Sequence, residues 1–193
     1  MVVDKKIFAK IRKEIIDRDS LREQLIVESR PIIKSAKQAI YALHRDDLKE
    51  AKENLDQGKK DIEKLKKIVK KDPTLEYGSY SFSLQEYAEA ITYYYYMTED
   101  RLVDNDEIGI DGENYLLGLC DLTGELARRA VFSVVNENYK EVKKIKDFVS
   151  VIHDEFLEFE LRNGELRKKS DSIKWNLKKI EETLYDLKIR EKI

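Results

Sequence analysis

The segment LKEAKENLDQGKKDIEKLKKIV, residues 48–69, decides the fold class. Leu48, Ala51, Leu55, Ile62, Leu65 and Val69 follow alternating steps of three and four, and Gly58 fills the seam position between Leu55 and Ile62. That spacing sets the apolar groups along one stripe of an α-helix and leaves Lys, Glu and Asp on the other side. Such a stripe becomes stable when another helix covers it. Near the other end, Leu166, Ile173, Leu177, Ile180, Leu184 and Leu187 form a second seam of the same kind. A first segment carries Ile7, Ile11 and Ile15, then Leu25, Ile32, Ala36, Ile40 and Leu43. Pro31 lies inside it and should kink that helix or restart it, because proline lacks the N–H that the helix interior needs.

Lys71-Asp72-Pro73, Asn136-Glu137-Asn138 and Asn163-Gly164 mark boundaries between helical stretches. Residues 99–112 are acidic and without clear periodicity, which reads as a loop, with Asp111 capping the helix that follows. Only seven Gly and two Pro in 193 residues leave little material for turns. The expected architecture is a single all-α domain over residues 1–193, a bundle of six or seven helices. The single cysteine, Cys120, excludes an internal disulfide and suits a reducing compartment. The N-terminal stretch Met1-Val2-Val3-Asp4-Lys5-Lys6 contains no apolar run of the leader type. No stretch approaches the roughly 18 apolar residues of a membrane span. These features lead us to expect a cytoplasmic protein with no membrane partner.

A net charge of −2 hides a strong segregation. Residues 72–127 hold 13 acidic groups and one basic group, Arg101, so the middle carries −12 and the flanks together +10. This pattern fits solvated helix faces, and it also fits an acidic centre framed by basic helices that hold a polyanion.

Two helices break the one-sided pattern. Between residues 84 and 97, Leu84, Ala88, Ile91 and Tyr95 make one apolar stripe, and Phe82, Tyr93, Tyr96 and Met97 make another. Glu86 and Glu89 fall inside the second stripe, on a helix with no lysine. In the helix after Asp111, two apolar stripes leave a narrow polar wedge holding Asp121, Glu125 and Arg128, with Arg129 at its edge. Carboxylates on faces this apolar need compensation. Ion pairs to Lys or Arg of the flanking helices would supply it, and so would Mg²⁺ or Mn²⁺, which prefer oxygen donors. No His or Cys set has zinc spacing. His44 and His153 are isolated, and neither follows a glutamate by three residues, which argues against a di-iron carboxylate bundle. Cys120 reads as packing.

The wedge helix YLLGLCDLTGELAR (residues 115–128) closely resembles the signature helix of the translin superfamily, and within it the TRAX (translin-associated factor X) branch. LQEYAEA (84–90) resembles the other acidic helix of that branch, and VESR (27–30) with ALHR (42–45) its first helix. LRKK (166–169) through YDLKIR (185–190) is similar to the shared C-terminal helix. The resemblance covers nearly the whole chain. It implies a seven-helix protomer and a hollow homo-oligomer, often an octamer, that encloses single-stranded RNA. It also implies that Glu86, Glu89, Asp121 and Glu125 are the catalytic, metal-binding residues.

The resulting expectation is Mg²⁺- or Mn²⁺-dependent endonucleolytic cleavage of single-stranded RNA, with single-stranded DNA as a second substrate. Glu86, Glu89 and Asp121 are the first choice as ligands, and Glu125 is a ligand or the base. Arg128 would neutralise the scissile phosphate, unless it pairs with Glu125. Arg129 and the basic residues Arg12, Arg18, Arg22 and Arg30 would line the nucleic-acid path, unless they are solvated helix charges. The competing expectation is a non-catalytic scaffold that binds single-stranded RNA or DNA.

Overall fold

The computed structural model describes residues 4–193, so Met1-Val2-Val3 of the N-terminal stretch lie outside the described residues. The helices are α1 (Lys5–His44), α2 (Leu48–Val69), α3 (Ser79–Glu99), α4 (Asn105–Ile108), α5 (Gly112–Val135), α6 (Tyr139–Leu157) and α7 (Glu165–Ile189), with a 3-10 turn at Pro73–Leu75. No strand occurs among the described residues. The all-α expectation holds, with seven helices. The chain divides into two compact units, and the division falls inside α3, after Ala90.

In the first unit α1 and α2 form a helical hairpin. Only Arg45, Asp46 and Asp47 connect them, and so short a link makes them antiparallel neighbours. Asp46 takes a left-handed φ of 59°, and the Asp47 carboxylate accepts from the Glu50 N–H at 2.9 Å, which caps α2. The seam read from residues 48–69 is the buried face. Ala51, Leu55, Ile62, Leu65 and Val69 are buried, as are Ile32, Ala36, Ala39 and Leu43 of α1, whereas Leu48 at the end of α2 stays exposed. Gly58 has a specific use. A Cβ there would stand 3.1 Å from two ring atoms of Tyr87, so the missing side chain lets the tyrosine ring rest on the α2 backbone.

Pro31 does not restart the helix, because α1 runs unbroken from Lys5 to His44. The carbonyl that loses its partner is that of Val27, one turn earlier, and Val27 is exposed, so water reaches it. Ile7, Ile11 and Ile15 keep their helical spacing but remain exposed.

In the second unit α5, α6 and α7 pack on one another. Helix α5 is buried on most sides, as its double stripe implies: Leu117, Leu119, Cys120, Leu122, Leu126, Ala127 and Ala130 are all buried. Val142, Ile145 and Val149 of α6 and Ile173, Ile180 and Leu187 of α7 complete this core. The segment expected as a loop, residues 99–112, contains the one-turn helix α4. Local chemistry orders it without periodicity. The Asp104 carboxylate caps it through the Asp106 N–H at 2.7 Å, and Gly109 ends it at a left-handed φ of 68°. Arg101 donates to both oxygens of Glu107 at 2.9 and 3.0 Å and to Glu99 at 2.7 Å. As expected, Asp111 caps α5, accepting from the Asn114 N–H at 3.0 Å. Among the described residues no helix is long and apolar enough to cross a membrane.

The tight approach at Gly58 can be tested directly. Gly58→Val places a branched side chain against the Tyr87 ring and should lower stability by about 1–3 kcal/mol, despite the better helix propensity of valine. Chemical denaturation of the two proteins measures the difference.

Candidate functional site

Glu86 and Glu89 lie three residues apart on α3, a helix that contains no Lys or Arg. Helix α3 lacks cations of its own, so compensation must come from other elements. The Nζ of Lys37, on α1, stands 3.8 Å from a Glu86 carboxylate oxygen, and the Glu86 side chain is 14% exposed against 55% for the lysine. That distance makes an ion pair without a hydrogen bond. Glu89 is buried at 8% exposure, deeper than Glu86. Polar order surrounds this stretch: the Ser83 hydroxyl donates to the Tyr80 carbonyl at 2.7 Å, and the Gln85 amide to the Ser81 hydroxyl at 3.0 Å.

Asp121 and Glu125 lie four residues apart on α5, in the polar wedge that the two apolar stripes leave. Lys169 of α7 donates to Asp121 Oδ2 at 2.5 Å, with the lysine side chain 26% and the aspartate side chain 36% exposed. A second polar link supports this pair, since the Asn176 amide of α7 donates to the Thr123 hydroxyl at 2.9 Å. The Thr123 hydroxyl in turn donates to the Cys120 carbonyl at 2.7 Å. Arg128 Nη1 stands 3.8 Å from Glu125, a loose pair on the same helix.

Arg129 has a different setting from Arg128. Its Nε donates to Glu141 of α6 in a close ion pair, largely shielded from solvent. The Ser133 hydroxyl and the Asn138 amide also donate to Glu141, at 3.1 and 2.9 Å. Burial pushes the Tyr93 phenol far above its ordinary range, and a hydrogen bond and charge interaction with Arg129 only partly offset this. Arg18, Arg22 and Arg30 are exposed on α1, with Arg18 3.7 Å from Asp72. Arg18 and Arg22 line a cavity of about 520 Å³ beside Leu75 and Tyr77.

Among the described residues, Lys37 pairs with Glu86, Lys169 with Asp121 and Arg128 with Glu125. The charge segregation points to ion pairing as one form of compensation but does not identify Lys37 or Lys169. A signal for Lys169 was present. The C-terminal seam steps from Leu166 to Ile173, and Lys169 occupies the turn that this step skips. Within each unit, the described residues assemble no group of three or more His, Cys, Asp or Glu side chains poised on one ion. The donor type nonetheless fits a hard divalent cation. The acids offer carboxylate oxygens alone, in half-buried or buried positions, and two of the three ion pairs are loose enough to exchange.

The chain belongs to the translin family, whose profile matches residues 20–191. It is 29% identical over 185 residues to an uncharacterised protein of Methanocaldococcus jannaschii, covering 92% of this chain and 82% of that one. It is 26% identical over 226 aligned residues to translin-associated protein X of Rattus norvegicus, covering 95% and 78%. Translin of Gallus gallus is 43% identical, but over 81 residues, which are 42% of this chain and 35% of translin. Among solved structures, apo-NeC3PO superimposes with a TM-score of 0.84 at 26% identity, covering 96% of this chain and 98% of that one. AfC3PO in complex with duplex RNA gives 0.85 at 20% identity, covering 95% and 97%, a likeness of fold.

Burial also governs the cysteine of the wedge helix. Desolvation, reinforced by the neighbouring Asp121 charge, pushes the Cys120 thiol up to about 12, and desolvation does the same for the Tyr115 phenol. Cys120 should thus resist thiol reagents at pH 8 until the chain is unfolded, as a timed thiol titration with and without denaturant will show. Both groups are neutral when folded. Their stabilising share is complete below the ordinary values of 9.0 and 10.0 and is lost as pH rises toward 12, so the melting temperature should fall across that window.

Proposed function

We propose that this translin-family chain is a divalent-metal-dependent endoribonuclease that cuts single-stranded RNA and works as a homo-oligomer, an octamer by the family resemblance, in the cytoplasm. The observation that carries this reading is the pair of acidic doublets, Glu86 with Glu89 and Asp121 with Glu125. They stand on apolar helices at the spacing of the TRAX-like motifs. The alignment with rat translin-associated protein X along 95% of the chain supports it. The complex of AfC3PO with duplex RNA supports RNA as the ligand class.

Glu86 with Glu89 on α3, and Asp121 on α5, would each offer carboxylate oxygens to Mg²⁺ or Mn²⁺. When bound, such an ion lowers the pKa of water and offsets charge on a phosphate. Glu125 ligates as well, or takes the proton of the attacking water as general base. Lys169 must turn away from Asp121 for that carboxylate to ligate, and its freed ammonium then faces the phosphate backbone. Arg128 is exposed and serves the scissile phosphate. Arg129 is committed to Glu141 and acts by fixing α5 to α6. Arg18, Arg22 and Arg30 offer cations along α1 to the strand, whose binding then weakens with salt.

A second reading has an observation of its own. The close Lys169–Asp121 pair and the two looser ones compensate these acids without metal, as a non-catalytic nucleic-acid-binding scaffold would require. Labelled RNA incubated with Mn²⁺, with EDTA as control, separates the two readings. The nuclease reading expects metal-dependent cleavage that falls by roughly 10²–10⁴ in Glu89→Gln and in Asp121→Asn, with RNA binding retained. Asp121→Asn should lower stability by only about 1 kcal/mol, because Lys169 is left near solvent. No cleavage by the parent chain, or full cleavage by both variants, would reject the nuclease reading or the site.

A further inference from the structure

Helix α1 extends beyond the surface that covers it. Its first buried residue is Leu25, and Ile32, Ala36, Ile40 and Leu43 follow in the hairpin with α2. Every residue from 5 to 20 is exposed. A lone helical stretch of this length is marginal in water unless a second surface covers its apolar side. This stretch has such a side. Ile7, Phe8, Ile11 and Ile15 fall within about 100° of one another around the helix, and they are 56%, 51%, 44% and 54% exposed. They present on the order of 400 Å² of apolar surface, comparable with the apolar share of a stable interface that covers about 800 Å² per partner. The stretch precedes residue 20, where the match to the family profile begins, so this face is not among the features by which the family is recognised.

The charges beside that face indicate what covers it. Residues 5–13 contain Lys5, Lys6, Lys10, Arg12 and Lys13 and no acid, whereas residues 14–19 contain Glu14, Asp17 and Asp19 with Arg18 as their only cation. At about 100° per residue, Lys6, Lys10, Glu14 and Asp17 run along one flank of the apolar face, and Lys5, Arg12 and Asp19 along the other. Both flanks thus begin basic and end acidic. An identical helix laid antiparallel, with Ile11 at the twofold axis, sets Ile7 against Ile15 of the second copy. The same register brings Lys6 and Lys10 beside the second copy's Asp17 and Glu14, and Lys5 beside its Asp19. A parallel helix would set like charges together. An anionic lipid surface or a nucleic-acid strand would meet acids on both flanks of the face. The Lys10–Glu14 pair inside the helix is 3.7 Å long with both side chains mostly exposed, so exchanging it for a contact between copies costs little.

We propose that the first half of α1 is a self-association surface, on which residues 5–19 of two copies pack antiparallel about Ile11. The contact is isologous, since each copy uses the same patch. It covers the apolar face of both helices and sets each basic end beside an acidic one. The inference rests on the homo-oligomer reading above, and on nothing in the nuclease reading, and it names one contact through which the oligomer forms.

The experiment measures the mass of the full chain by light scattering across the micromolar range. The parent should self-associate. Ile11→Glu sets two carboxylates at the axis and should weaken this contact about 100-fold, with the helical circular dichroism retained. Charge reversal keeps the test independent of that variant. Lys6→Glu with Lys10→Glu makes one flank wholly acidic, and Glu14→Lys with Asp17→Lys makes the same flank wholly basic. Each double variant alone should lose the contact, and an equimolar mixture should regain it with one copy of each. Disulfide trapping reads the direction. Ile7→Cys mixed with Ile15→Cys should cross-link and neither alone should, while the native Cys120 is buried. Unchanged mass in Ile11→Glu and in both double variants would overturn the α1 contact and leave the homo-oligomer reading standing. A parent chain that stays monomeric would overturn both. Association lost in each double variant and not regained in the mixture, or cross-linking of Ile7→Cys to itself, would overturn the antiparallel arrangement. Binding of the parent to vesicles of anionic phospholipid, without self-association, would assign the face to a lipid surface and overturn the proposal.

Discussion

The account depends on the charge that α5 carries beside two buried apolar stripes. A helix lined by Leu117, Leu119, Leu122, Leu126 and Ala130 has only a narrow strip for polar groups, and on that strip stand Asp121, Glu125 and Arg129. Unsupported charge in such a setting is expensive. Three polar links from α5 to its neighbouring helices answer this constraint. Lys169 meets Asp121, Asn176 meets Thr123, and Glu141 meets Arg129. These three links also fix α7 and α6 against α5, so the helix packing of the second unit and the electrostatics of the wedge are one arrangement.

The compensation is uneven, and function can arise from the unevenness. Arg129 and Glu141 are shielded and multiply hydrogen-bonded, so that pair is built to stay closed. Lys169 and Asp121 are close but partly open to water, and Lys37–Glu86 and Arg128–Glu125 are separated by 3.8 Å. Pairs of the second kind contribute little to stability and exchange readily. Under the proposed function, a divalent ion with a demand for oxygen ligands would compete with these cations for the carboxylates.

Much of this was legible in the sequence. The seam of residues 48–69 gave the buried face of α2 from Ala51 onward, and the double stripe of α5 gave its burial. The reading of a cap at Asp111 needed only the residue type and its place before an apolar run. The misses have physical causes. α4 rests on Asp104, Gly109 and the Arg101–Glu107 pair, none of which has a period to detect. Pro31 leaves α1 intact because the cost of a missing N–H depends on whether water reaches the Val27 carbonyl, and that depends on tertiary burial. Ile7, Ile11 and Ile15 look like core by spacing but are exposed, since periodicity marks an apolar face without saying what covers it. Of the candidate site, the acids were visible as carboxylates on apolar helices. Their cations were not, because Lys37 and Lys169 lie 49 and 48 residues away in the chain.

If Lys169 holds the place that a metal ion takes, removing it should favour the ion. The direct test is the Mn²⁺ affinity of the parent chain beside Lys169→Met, measured by electron paramagnetic resonance without RNA. The account predicts saturable Mn²⁺ binding by the parent and tighter binding by Lys169→Met, because Asp121 no longer has to leave a partner. No saturable Mn²⁺ binding in either protein would contradict it, and would leave these carboxylates as structural partners of the basic helices.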